Sequence, residues 1–345
     1  MTVSGKANSG FNAVADRVKT ETDLIQTYLA PLAAGAPGAF GLQDDAAVIS
    51  PEPATDIVIS TDPVRAGVHF FETDRADDIA WKALAVNISD IAAKGARPLA
   101  YTMAIAFPAA PERAWMQSFA EGLRAAQTEF GCHLIGGDTD HSGSPLSIAI
   151  TAFGSVPRSR MVQRTTATAG DHLFVTGTLG DAALGLALHR DATFLNRELT
   201  SGDRAFLIGR YLRPNPRLGL APLLLATASA SLDISDGLLK DLGRMAAGAG
   251  SGATIRFDAL PLSPPARALV RSEPAIAGQI VTGGDDYEIL FAVPPGKLDI
   301  FRTMAPAIPV QVREIGRLEE GGGVTLLDDR GQAMHFGRQG YDHFG

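Results

Sequence analysis

Residues 76–96, ADDIAWKALAVNISDIAAKGA, restrict the fold more than any other part of the chain. They read as one long helix. Asp77 and Asp78 suit its first turn, and Gly95 and Pro98 mark its end. The segment is apolar nearly all round, so other elements must cover it on every side. Within it lie Asn87 and Asp90, three residues apart and therefore on one face. A carboxylate buried without a partner is costly, so Asp90 must neutralise, pair with a base or bind a metal. Capping of a neighbouring loop is the competing reading of that residue alone.

Around this helix the chain alternates short apolar runs with turns. Residues 21–34 read as a short amphipathic helix, and AAVIS (46–50) and DIVIS (56–60) as strands. PLAYTMAIAF (98–107), HLIGGDTD (133–140) and LSIAITAFGSV (146–156) read as further strands, with a second amphipathic helix over 110–130. The polar, Arg-rich stretch 157–171 has few large apolar residues and is read as a boundary. Beyond it, 172–188 and 231–250 read as strand, turn and helix, 280–294 as strand, acidic turn and strand, and 324–336 as a hairpin. At about 100–200 residues per domain, 345 residues suggest two domains. The expected division is a polar, loose tail over 1–20, one domain over 21–156 and a second over 157–345. The expected class is α/β in the broad sense (α+β), with mixed sheets and helices in both halves.

Six Asp-bearing segments stand out along the chain. They are GLQDDAAVI (41–49), ISTDPVRAGVHF (59–70), NISD (87–90), IGGDTD (135–140), LDISDG (232–237) and TGGDDYEIL (282–290). The acids are mostly Asp, 26 against 12 Glu, and the bases mostly Arg, 24 against 6 Lys. Any one cluster has a bland explanation as a turn or helix cap. Together they point further. Strand alternation puts Asp233 and Ser235 on one face, with Asp236-Gly237 turning into a helix. Gly136-Gly137 let the backbone approach a ligand, with Asp138 pointing into the same crevice. Two carboxylates 4 Å apart repel by about 4 kcal/mol at an effective dielectric near 20, so a convergent set needs cations. All-oxygen donors select Mg²⁺ or Mn²⁺ over Zn²⁺, and several ions bridging a polyphosphate is the natural inference.

The exclusions are short. A net charge of −8 disfavours a broad nucleic-acid surface. Cys132 is the only cysteine, and the seven His show no zinc-ligand spacing. No apolar run reaches the ~18 residues of a membrane span, and the first twenty residues lack a secretory apolar core. A cytoplasmic protein without a membrane partner is the default expectation. There is no GxxxxGK[ST] loop, no protein-kinase motif set and no GxGxxG between a strand and a helix. With few Lys, phosphate neutralisation falls to metals and Arg; the boundary stretch supplies Arg158, Arg160 and Arg164.

The ordered set GxxDDAAVI, ISTD…GVHF, WKALAVNISDIAAKGARP, IGGDTD, LDISDGLLKDLG, GGDDYEI and GYDHF resembles the bacterial thiamine-monophosphate kinase family, from about residue 21 to the C-terminus. The wider superfamily includes aminoimidazole ribonucleotide synthetase. The resemblance implies the reaction ATP + thiamine phosphate → ADP + thiamine diphosphate. It implies a two-domain subunit whose N-terminal mixed-sheet domains pair in a homodimer, with ATP and metals in a cleft. By position it implies Asp45, Ser60, Thr61, Asp62, Asp90, Asp138, Asp233 and Asp236 as Mg²⁺ ligands. Gly137, Asp138, Arg164 and Ser235 match nucleotide contacts, with Arg164 also stabilising charge on the moving group. His69, Asp285 and Tyr341 match contacts to thiamine monophosphate. Gln43 stands where the family often has Gly, and Asp285 where it often has Glu. The alternatives are another ATP-dependent enzyme of the superfamily and a non-catalytic Mg-nucleotide sensor.

Overall fold

A computed structural model describes residues 16–194 and 199–342. The N-terminal half contains α1 (Glu21–Leu24), β1 (Thr55–Arg65), α2 (Ala76–Ala93), β2 (Arg97–Phe107), α3 (Arg113–Phe130), β3 (His133–His141) and β4 (Ser147–Pro157). Its four strands form one sheet in the order β1-β4-β2-β3. β4 is antiparallel to both β1 and β2, whereas β3 runs parallel to β2. Ile79, Leu84, Ile88 and Ile91 of α2 pack with Phe119 and Leu123 of α3 against Tyr101, Ile148 and Ile150 of the sheet. Each such fully buried side chain contributes about 1.5–3 kcal/mol.

The C-terminal half contains β5 (His172–Thr176), α4 (Asp181–Arg190), α5 (Ser201–Leu212), α6 (Ala221–Thr227), β6 (Ala230–Asp233), α7 (Leu238–Gly248) and β7 (Gly252–Arg256). It continues with α8 (Pro264–Ser272), α9 (Ile276–Thr282), β8 (Ile289–Val293), α10 (Leu298–Met304), β9 (Val312–Glu319), β10 (Val324–Leu327) and β11 (Ala333–Met334). Its seven-stranded sheet has the order β11-β10-β7-β9-β5-β8-β6. Leu184 of α4, Leu242 of α7 and Ile280 of α9 pack with Val175, Leu232, Ile255 and Leu290 of the strands.

The reason α2 is apolar all round is now plain. One side packs on the N-terminal sheet. Its end, Ala92 and Ala93, enters a separate cluster with Phe174, Phe291, Leu220, Leu223 and Leu224 of the C-terminal half. Polar ties reinforce the seam: Trp81 Nε1 donates to Pro214 O at 2.8 Å, and Lys94 Nζ donates to Ser231 O at 2.7 Å. Arg213 pairs with Asp77 at 2.7 Å and also with Asp78.

Three local readings of the sequence change. AAVIS is not a strand: Val48 is exposed, and its N–H bonds Gly38 O at 2.9 Å rather than a sheet neighbour. The apolar run before GGDDYE is helix α9, because Ile276, Ala277, Ile280 and Val281 are buried at helical spacing, which the β-branched Ile280, Val281 and Thr282 mask. Helix 21–34 is α1 followed by π and 3₁₀ turns. Of the segment read as a tail, residues 1–15 lie outside the described residues. Within 16–20, Val18 is buried and its N–H donates to Pro111 O at 2.9 Å, so this part is anchored.

Candidate active site

A cleft of about 430 Å³ lies where β1, α2, the turn after β6 and the turn before β8 meet. Its lining includes Asp62, His69, Asp90, Asp233, Ser235, Asp236, Asp285 and Tyr341, drawn from both halves of the chain. The sequence places them there for simple reasons. Strand alternation turns Ser60 and Asp62 to one face of β1, toward α2. Ser60 Oγ donates to Asp90 Oδ2 at 2.5 Å, and Asp62 N–H donates to Asn87 Oδ1 at 2.8 Å. Asn87 and Asp90, three residues apart on α2, thus hold this stretch of β1.

The two turns are zipped together by backbone bonds. Ile234 N–H donates to Glu288 O at 2.8 Å, Tyr287 N–H to Ile234 O at 2.9 Å and Asp285 N–H to Ser235 O at 2.9 Å. Glycine is required at 284, where a Cβ would lie 2.2 Å from Ser235 O. Asp241 of α7 holds the first turn, accepting from Ser235 N–H at 3.1 Å and Asp236 N–H at 2.9 Å. Arg244 closes on both acids, 2.7 Å from Asp241 and 2.6 Å from Asp236.

The acids crowd one another. Burial, then the charge of Asp90, pushes the Asp62 carboxyl up to about 6. Burial and the same Asp90 charge push Asp233 well above the usual carboxylate range. Burial also pushes Asp241 up to about 6, against the bonds it accepts. Opposite them, burial lowers Lys94, while Asp233 and Asp90 oppose that shift. Among the described residues, no three His, Cys, Asp or Glu side chains form a ready ligand set for a metal ion. The donors nonetheless fit Mg²⁺, which takes hard oxygens and is commonly held by one or two carboxylates completed by water and phosphate.

Beside this cluster the cleft continues into a lobe lined by Lys94, Arg164 and Arg244 together with Gln163 and Thr165. Asp62, Asp90, Asp233 and Ser235 line both spaces. The acidic group therefore lies between a basic lobe and the pocket of His69, Asp285 and Tyr341. His69 Nδ1 accepts from Arg65 N–H at 3.1 Å, which fixes the ring. Tyr341 is tied by its N–H to Asp236 O at 2.9 Å. Asp285 lines the pocket at φ 68°, with its carboxylate 2.8 Å from Lys82 Nζ.

The structure does not bring every expected ligand together. The Thr61 side chain faces away from Asp62: its Oγ1 donates to Ile150 O at 3.1 Å and accepts from Thr151 Oγ1 at 3.0 Å. Asp45, Gly137 and Asp138 line a different pocket, with Asp44, Thr102 and Thr139. On the sheet, Asp62 pairs with Ile150, Ile150 with Met103 and Met103 with Gly137. Three strand spacings separate β1 from β3, about 14 Å. Gly137 is needed where it stands, since its φ is +153° and a Cβ would lie 1.9 Å from Met103 O. Gln43 needs no glycine, lying at φ −109°, ψ 0°.

Within GGDDYE the acids divide by alternation. Asp285 faces the cleft, whereas Asp286 and Glu288 are buried. Asp286 Oδ2 accepts from Gly180 N–H at 2.8 Å, and Glu288 is held by Arg210, Arg217 and Thr176. Sequence reasoning missed Lys82, Lys94, Asp241 and Arg244. A helical signal for the first two was present: Lys82, Val86, Asp90 and Lys94 recur at i, i+4 along α2.

Comparison with known proteins gives a consistent picture. Residues 43–156 match the family model "AIR synthase related protein, N-terminal domain", and 168–329 match "AIR synthase related protein, C-terminal domain". Thiamine-monophosphate kinase of Caulobacter vibrioides is 40% identical over 309 residues, covering 89% of this chain and 86% of the relative. The crystal structure of thiamine-monophosphate kinase from Stenotrophomonas maltophilia K279a superposes with a TM-score of 0.76 at 39% identity, covering 85% of this chain and 91% of that one. A structure described as AaThiL complexed with AMPPCP and TMP matches with a TM-score of 0.72 at 29% identity, covering 96% of this chain and 100% of that one.

Proposed function

The chain belongs to the thiamine-monophosphate kinase family of AIR synthase related proteins, and on that premise we propose how its cleft performs the reaction ATP + thiamine phosphate → ADP + thiamine diphosphate. The observation that carries the reading is the order of groups along the cleft. A basic lobe (Lys94, Arg164, Arg244) is followed by an acidic cluster (Asp62, Asp90, Asp233), then by a pocket with a carboxylate and an aromatic ring (Asp285, Tyr341).

The triphosphate lies in the basic lobe, where Arg164 also meets the charge on the moving γ-phosphoryl group. Ser235 and the turn bearing it face the same space. Asp62, Asp90, Asp233, Ser60 and Asp236 would supply oxygen donors for Mg²⁺, and Asp45 and Asp138 a second set; the ion, when bound, would neutralise phosphate charge. Thr61 contributes no side-chain ligand to the Asp62 group in this arrangement.

The acceptor is a phosphate oxygen already ionised at neutral pH, so no general base is needed. The cationic ring of thiamine phosphate takes the pocket beside Asp285, with the Tyr341 ring available to stack on it. His69, fixed through Nδ1, borders the same pocket.

A cytoplasmic homodimer completes the reading. No described helix is long and apolar enough to cross a membrane. β1 is a sheet edge and exposes Ile59 at 60%. One chain holds two acidic groups, one at β1 and one at β3, three strand spacings along the sheet, and association through this sheet accounts for both features. A coupled assay of ADP release tests the substrate assignment. Release is expected with thiamine phosphate and not with thiamine; equal release without any acceptor refutes it.

A further inference from the structure

The residue that defines the substrate pocket most indirectly is Lys82. It lies on the α2 row that continues through Val86 to Asp90, both of which line the cleft. Its side chain is only 3% exposed, against 25% for Asp285. The ammonium lies 2.8 Å from Asp285 Oδ2 and 3.7 Å above the centre of the Tyr211 ring. The other oxygen of Asp285 accepts from Tyr287 Oη at 3.3 Å. Tyr211 Oη in turn donates to His69 O at 3.2 Å. One chain of contacts therefore joins both pocket walls: His69, Tyr211, Lys82, Asp285.

A buried ammonium is tolerated only when paired, and a cation above a ring gains further. Lys82 is fixed on three sides by α2, the Tyr211 ring and the Asp285 carboxylate. Asp285 is the more exposed member, on the turn before β8. Since Lys82 does not line the cavity, the ammonium stands behind the carboxylate and leaves the cleft side open to a ligand. Removing the ammonium would leave the Asp285 carboxylate held only by the longer bond from Tyr287 Oη and able to turn away.

We propose that Lys82, seated on Tyr211, is a positioning residue that fixes the Asp285 carboxylate toward the cationic ring of the substrate. The proposal rests on the substrate reading of the pocket given above. Lys82 reaches the cleft through Asp285, so its effect falls on substrate affinity and not on phosphoryl transfer or ATP.

The test is a kinetic double-mutant cycle on the full-length chain, with Lys82→Met, Asp285→Asn and the combination. Methionine keeps most of the stem volume. Lys82→Met is expected to raise KM for thiamine phosphate at least about tenfold, with kcat and KM for ATP within about threefold. In the Asp285→Asn background the same change is expected to raise KM no further. Tyr211→Leu, which removes the ring beneath the ammonium but keeps both charges, gives a smaller rise of about threefold. It provides the readout if Lys82→Met does not fold.

An increase in KM that persists in the Asp285→Asn background, or a fall in kcat with both KM values changed, overturns the proposal in favour of a structural role. A normal KM in Lys82→Met, with a raised KM in Asp285→Asn, overturns it while leaving the substrate reading intact. A normal KM in Asp285→Asn itself overturns the substrate reading and the proposal with it.

Discussion

Glu288→Gln separates the structural acid of GGDDYE from the one facing the cleft. Glu288 is completely buried. Its carboxylate is 2.7 Å from Arg210, 2.7 Å from Arg217 Nε and 2.7 Å from Thr176 Oγ1. The two arginine side chains are only 13% and 17% exposed, so they have little access to water as an alternative partner. Glutamine preserves the shape but leaves two buried guanidinium groups facing a neutral amide. Breaking a buried pair from one side costs about 3–5 kcal/mol. With a urea m-value of about 3 kcal/mol/M, the unfolding midpoint should fall by about 1–1.7 M. Equilibrium urea unfolding followed by tryptophan fluorescence and circular dichroism measures it, with coincidence of the two probes testing for a single transition. A midpoint within 0.3 M, roughly 1 kcal/mol, of the parent would refute the assignment of Glu288 as a buried structural anchor.

Other predictions concern the acids and the sheet. Asp90→Asn and Asp45→Asn should each lower kcat by at least about a hundredfold at saturating Mg²⁺, measured by ADP release, with little change in thermal midpoint; near-parental turnover removes that residue from the metal set. The raised carboxyl of Asp62, about 6 against 3.8, means that the folded state binds a proton more tightly than the unfolded state. Stability from this group therefore falls as pH rises from about 4 through 6, and Asp62→Asn should lessen the drop in thermal midpoint between pH 5 and pH 8 in metal-free buffer. An unchanged pH profile would contradict that linkage. Gly137→Ala meets both φ +153° and Met103 O at 1.9 Å, so it should destabilise by at least about 2 kcal/mol, seen as a lower melting temperature.

Much of this was legible in the chain itself. The all-round apolar character of 76–96 required a helix covered from every side, and both halves cover it. Of the Asp-bearing clusters, those of Asp62, Asp90, Asp233 and Asp285 line the cleft, whereas those of Asp45 and Asp138 line another pocket. What the sequence hid was long-range. Alternation alone turns Thr61 from Asp62, but the motif groups them because they are adjacent. Asp138 sits on β3, three strands along the sheet from Asp62 on β1, a separation set by sheet order and not by spacing along the chain, and Asp45 lines the pocket of Asp138. Lys82 and Lys94 were overlooked because an apolar helix draws attention to its hydrophobic residues, although Lys94 at i+4 and Lys82 at i−8 share the helix row of Asp90. Residues 280–282, the end of helix α9, were misread as strand because β-branched residues satisfy a helical period as readily as a strand when the segment is short.

The central claim is direct transfer of the γ-phosphoryl group onto the phosphate of thiamine phosphate. Incubation with γ-¹⁸O-labelled ATP, thiamine phosphate and Mg²⁺, followed by mass spectrometry, tests it most directly. The account predicts thiamine diphosphate carrying the label in its terminal phosphoryl group, formed one for one with ADP. ADP with labelled inorganic phosphate and no thiamine diphosphate would contradict it.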